Sequence, residues 1–149
     1  MRPGEAASLR WAEIDHDLQV ITLGDSKTGR SKRPIGRAAL EVINSIDRIS
    51  DEWVFPATRG EGSASLKKPL ASLFTHAGLD ATPKALRSTF ASVAADMGYS
   101  GGTIGEMLGH ARQGVTERHY IRRIDAVLVA AADDVSKAIE SLMRRETFG

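Results

Sequence analysis

Lys84 and Arg87 stand three residues apart in Lys84-Ala85-Leu86-Arg87-Ser88-Thr89-Phe90. At that spacing two side chains share one face of a helix. A cationic pair of this kind is either a solvated surface or a grip on an anion. Arg2 and Glu5 repeat the spacing with opposite charges, which suits a surface ion pair or an acid that supports an arginine. His110 follows Gly109, just past an expected helix end, where a histidine caps carbonyls or complements the helix dipole. Ten residues further on, Tyr120 lies in Thr116-Glu117-Arg118-His119-Tyr120-Ile121-Arg122. That polar, arginine-rich setting is unusual for a core tyrosine, although half-buried helix tyrosines are ordinary. His110 and His119 do not make a zinc site, because they are nine residues apart with no cysteine to complete the ligand set.

The charges of the chain are unevenly placed. Twenty Lys and Arg balance nineteen Asp and Glu among 149 residues, for a net charge of +1. That total excludes a uniformly basic DNA coat but not DNA binding, which depends on where the charges sit. Lys27, Arg30, Lys32, Arg33 and Arg37 form one stretch without an acid, and Arg112, Arg118, Arg122 and Arg123 form a second with only Glu117. Blocks of one sign are solvated faces or loop tips, or two basic stretches converging on one anion. With 42% hydrophobic and 26% charged residues the composition is globular, and the length suits one domain. There is no cysteine and hence no disulfide framework or thiol nucleophile. No apolar run approaches the roughly 18 residues of a membrane span.

Local patterns predict the elements that carry these residues. Pro3 and Glu5 open a helix running to Leu9. Leu18 to Leu23 and Lys32 to Ile35 flank a glycine-containing turn, which makes a hairpin with Lys27 at its tip. Ala38 to Ile49 reads as a helix with Leu40, Val42, Ile43, Ile46 and Ile49 apolar, and Trp53 to Pro56 as a third short strand. Helices are also expected from Leu66 to Ala77, and from Pro83 with a Thr82 hydroxyl cap and a buried stripe of Leu86, Phe90, Val93 and Met97. Thr103 and Glu106 suggest a capping box for a helix that stops at Gly109. Ile124, Leu128, Ala131, Val135, Ile139 and Leu142 predict a long amphipathic C-terminal helix. The expected fold class is mainly α with a small antiparallel β-sheet (α+β).

Taken in order, Arg2-Pro3-Gly4-Glu5, Lys27-Thr28-Gly29, Lys84 to Phe90, Leu108-Gly109-His110 and Tyr120 resemble the catalytic domain of the tyrosine recombinases, the phage integrase family. The resemblance spans essentially the whole chain, and the Leu-Gly-His box with a tyrosine ten residues on is its most specific element. It implies the family's DNA breaking-and-rejoining core and site-specific recombination or integration through a covalent 3′-phosphotyrosine, with no cofactor and no metal. Arg2, Arg87, Lys84 and His110 would then hold the phosphate, Tyr120 attack it, and Lys27 protonate the leaving oxygen, with Glu5 supporting Arg2. Arg30, Lys32, Arg33, Arg118 and Arg122 are candidate DNA contacts.

The chain departs from the family's pattern in two places. Lys84 stands where the family most often has histidine; it can donate to a phosphate oxygen but is ill suited to act as a base. Arg2 is the second residue, so residues 1–149 are expected to be a catalytic domain without the family's N-terminal DNA-clamping domain. The implied partner is double-stranded DNA at attachment sites, bound as a homo-tetramer, with a monomer or weak oligomer in its absence. No membrane partner is expected, and the implied location is the cytoplasm of a bacterial or phage-infected cell. The alternatives are a non-catalytic DNA-binding remnant of a truncated integrase, a type IB topoisomerase and a helical interaction module.

Overall fold

Pro3 can open a helix at its first position because its ring presets φ and the missing N–H would be unused there. In the computed structural model, which describes residues 1–26, 29–110 and 126–145, helix α1 spans Pro3–Ala7, and Glu5 Oε2 accepts the Arg2 N–H at 2.6 Å. A short 3-10 turn, Trp11–Glu13, leads into a three-stranded antiparallel sheet of β1 (Ile14–Asp15), β2 (Val20–Ser26) and β3 (Gly29–Pro34), in that order. Among the described residues five helices follow: α2 (Arg37–Asn44), α3 (Lys67–His76), α4 (Pro83–Asp96), α5 (Gly101–Leu108) and α6 (Ala126–Arg145). The architecture is mainly helical with one small antiparallel sheet, as the sequence indicates. None of the described helices is long and apolar enough to cross a membrane.

Several local expectations are corrected by packing. Helix α2 ends at Asn44, not Ile49, and Ser45 Oγ bonds back to the Val42 carbonyl at 2.8 Å. Only Leu40 and Ile43 are buried in it, while Val42 and Ile49 face solvent. The third strand is Ile14–Asp15; Trp53 instead forms a single bridge with Arg10, whose guanidinium lies 4.6 Å from the Trp53 ring centroid. Thr82 does stand at the N-cap of α4, but its hydroxyl makes no capping bond. The cap of α5 is Ser100, which accepts the Thr103 N–H, so the expected Thr103–Glu106 box lies inside the helix. In α4 the contact is centred on fully buried Ala94, with Phe90 and Val93 alongside. Leu86 and Met97 lie toward the ends of the helix and are exposed. The small side chain at 94 sets that closeness, which periodicity alone does not register.

Among the described residues the buried apolar side chains form two clusters. The first joins Leu9, Ile14, Ile21, Leu23, Leu40, Ile43 and Val54 beneath the hairpin. The second joins Ala94 and Met107 to Leu128, Ala131, Ala132 and Val135 of α6. Helix α6 also reaches the first cluster's elements through close contacts. A Cβ on Gly36 would lie 2.5 Å from the Ala132 carbonyl oxygen and overlap the Ser136 hydroxyl. The hydroxyl can rotate away, but the carbonyl belongs to a helix backbone and cannot. Gly36→Ala is therefore expected to cost about 1–3 kcal/mol by overpacking, with Ser136→Ala recovering only part of it. Urea denaturation of the two variants checks this.

Asp133 secures the same junction electrostatically. Its carboxylate is buried and accepts hydrogen bonds from the Arg37 N–H and, at 3.1 Å, from the Gln19 amide, with Arg37 Nη2 3.6 Å away. Gln19 adopts a left-handed backbone (φ 53°) in the turn before β2, held by the bond from Ile35 N to its carbonyl at 2.9 Å. Burial pushes the Asp133 carboxyl up, but the Arg37 N–H, the Gln19 amide and the charges of Arg37 and Lys137 outweigh it, so it titrates below its ordinary 3.8. A depressed folded value means stabilisation present above the unfolded value and lost as pH falls through the folded one. Asp133→Asn should thus lower Tm at neutral pH, and its difference from the parent should shrink as pH falls below about 4, as thermal melts across pH would show.

Candidate anion site

Three segments distant in sequence meet at the N-terminal face. Helix α1 brings Arg2 and Glu5, α4 brings Arg87, and the end of α5 brings Leu108, Gly109 and His110. Gly109 ends α5 in a left-handed conformation (φ 71°), which glycine adopts without the steric cost other residues meet. The turn aims the Leu108 carbonyl at Arg87, whose Nη2 donates to it at 2.9 Å. The other terminal nitrogen, Arg87 Nη1, is buried and has no hydrogen-bond partner among the described residues. Burial, aided by the charge of Arg2, pulls the Arg87 pKa below its ordinary value, and Glu5 opposes the shift. The same field acts on the Met1 ammonium, which burial and Arg87 lower to about 6.

Glu5 is the anionic counterpart. Its Oε1 lies 3.9 Å from both Arg2 Nη1 and Arg33 Nη2, and its side chain is 16% exposed. One carboxylate thus faces the guanidinium groups of Arg2 and Arg33 and acts electrostatically on that of Arg87. The chemistry on offer is that of an oxyanion cradle: permanently charged, fork-shaped donors, with one donor of Arg87 held ready. Among the described residues no three His, Asp or Glu side chains gather as a metal cage. A cleft of about 500 Å³ next to Glu5, lined also by Arg10, Glu13 and Trp53, carries two carboxylates and does not suit an anion.

The placement of the other candidates varies. His110 is exposed, its N–H bonds to the Gly105 carbonyl at 2.7 Å, and its ring lies against Gly105. Lys84 is exposed on α4, one turn before Arg87. Lys32 is exposed on β3. Lys27, Arg118, Tyr120 and Arg122 lie outside the described residues, as does the side chain of Arg30. Arg33 departs from the expected outward DNA contact, because its side chain is only 7% exposed. The reason is strand alternation: Arg33 pairs with Ile21 and shares its inward face, whereas Lys32, one residue earlier, points out. The inward role of Arg33 and the part played by the Leu108 carbonyl are not evident from motif spacing. Arg33 was in principle detectable through its register with buried Ile21.

Over 134 residues the chain is 25% identical to the prophage integrase IntF of Escherichia coli (strain K12), with 82% of this chain and 28% of that protein covered. The chain thus spans less than a third of the length of that relative. Residues 1–126, which contain Arg2, Arg87, His110 and Tyr120, match the Phage integrase family. With the convergence of Arg2, Arg87 and the Leu108–His110 turn, that match shows that the chain belongs to the phage integrase family.

Proposed function

We propose that this chain is the catalytic region of a site-specific recombinase that cuts and rejoins DNA through a covalent 3′-phosphotyrosine. The observation that carries the reading is Arg87: one guanidinium nitrogen is fixed by the Leu108 carbonyl, and the other is buried beside Arg2 and Glu5 with no partner among the described residues. A buried donor without a partner is costly, and a phosphate oxygen is the acceptor that would satisfy it. Arg2, Lys84 and His110 add donors as charge grows on the non-bridging oxygens.

In the step itself the Tyr120 phenol gives up its proton to solvent water as its oxygen bonds to phosphorus. The bond to the 5′-oxygen breaks, and that oxygen takes a proton from Lys27. The reverse transfer restores both residues when a 5′-hydroxyl attacks the phosphotyrosine, so the backbone bond is conserved without a co-reactant. Double-stranded DNA at attachment sites is the partner, and a homo-tetramer is the assembly expected on it. The working location is the cytoplasm of a bacterial or phage-infected cell.

The test is capture of the intermediate. Incubation with a nicked suicide duplex bearing the attachment sequence should give a DNA adduct that resists boiling in detergent, and peptide mass spectrometry should place it on Tyr120. Salt-dependent DNA binding without an adduct would favour the non-catalytic remnant. Relaxation of arbitrary supercoiled plasmid would favour a topoisomerase.

A further inference from the structure

We propose that Arg33 is a positioning residue, whose buried guanidinium locks β3 to both halves of the anion site. The inference rests on the recombinase reading for its kinetic consequence and on geometry alone for its structural one. Arg33 Nη2 faces Glu5 Oε1 at 3.9 Å, and Nη1 donates to the Ser31 hydroxyl and, at 3.3 Å, to the Lys32 carbonyl. The guanidinium carbon lies where a Cβ on Gly109 would be. One planar group therefore touches Glu5, which holds the Arg2 N–H, and the turn whose Leu108 carbonyl holds Arg87 and whose next residue is His110. It also stands on the strand that returns from the hairpin expected to carry Lys27.

A surface phosphate contact does not explain a side chain that is 7% exposed. A flat, rigid fork fits between a carboxylate and a glycine backbone in a way that the compact ammonium of lysine does not. Displacing it would let the Arg2–Glu5 pair and the Gly109–His110 turn shift relative to each other. Misplacements of about 1 Å in a catalytic constellation cost about 10²-fold in rate.

Arg33→Lys is the test, since it keeps the charge and loses the plane. The variant should bind duplex DNA with the parent's affinity and salt dependence. It should form the Tyr120 adduct about 10²-fold more slowly at saturating DNA. Arg33→Gln should reproduce the defect and carries the same readouts if Arg33→Lys does not fold. A second measurement needs no turnover: the NMR signals of the Arg87 Nε–H and the His110 ring should move in either variant while the amide spectrum elsewhere stays as in the parent. An adduct rate within twofold of the parent would overturn the proposal, as would a loss of DNA affinity matching the loss of rate. If the parent itself forms no adduct, the recombinase reading fails. The NMR arm then decides the role of Arg33, with unmoved Arg87 and His110 signals counting against it.

Discussion

Arg87→Met is expected to slow DNA cleavage about 10²–10³-fold, the usual effect of removing a donor that holds a developing oxyanion, without loss of fold stability. The two effects have one origin. Arg87 is drawn into the protein far enough to bury Nη1 without a partner among the described residues, where Glu5 offsets its charge and Arg2 repels it. An unpaired buried donor costs about 1–3 kcal/mol, and methionine of similar length removes that cost while leaving the Leu108 carbonyl short of one donor. The melting temperature should therefore hold or rise as the rate falls. Arg87→Lys keeps a charge but loses the fork, and should lie between parent and Arg87→Met in rate. Single-turnover cleavage and thermal melts on the same preparations check both arms. A rate within a few fold of the parent would remove Arg87 from the site, whereas a large loss of stability would show its hydrogen bond to Leu108 to be structural.

Gly109→Ala should produce the largest loss of stability, about 4–5 kcal/mol, a major part of the 5–15 kcal/mol that holds a typical domain. The residue ends α5 at φ 71°, where a side chain costs about 1–2 kcal/mol. The larger part comes from Arg33, whose guanidinium carbon, Nε and Nη1 all occupy the space of the new Cβ. Driving that guanidinium away from Glu5 breaks an ion pair whose side chains are 7% and 16% exposed, and disrupting such buried pairs costs about 3 kcal/mol or more. Gly109→Asn tolerates the backbone but still carries a Cβ, so it should recover little. In an Arg33→Ala background the clash disappears, and Gly109→Ala should then cost only the backbone part. A urea double-mutant cycle measures the difference as coupling between positions 33 and 109, and additive costs would show that the two do not share this space.

Much of the molecule was legible because its signals are local. Pro3 and Gly109 act through their own φ angles, so both helix boundaries follow from the residue type. The C-terminal helix was readable because Leu128, Ala131 and Val135 recur at its period and are all buried. The motifs that hold Arg2, Arg87 and His110 were legible too, since they stand in order within the segment that matches the family. The same period misled in α4, where Leu86 and Met97 repeat correctly but project beyond the contact made at Ala94.

The order of motifs, the start of α1, the stop of α5 and the family were thus determined by the sequence itself, through backbone preferences and residue types that need no neighbour. Which cations face out and which face in was decided only by the tertiary structure. Lys32 and Arg33 are adjacent and both basic, yet pairing with β2 sends one to solvent and the other between Glu5 and Gly109. Residues 5, 33 and 109 acquire a common environment only when α1, β3 and α5 pack. A buried charge is tolerated where its partners arrive from elsewhere in the chain, and no local pattern records that arrival.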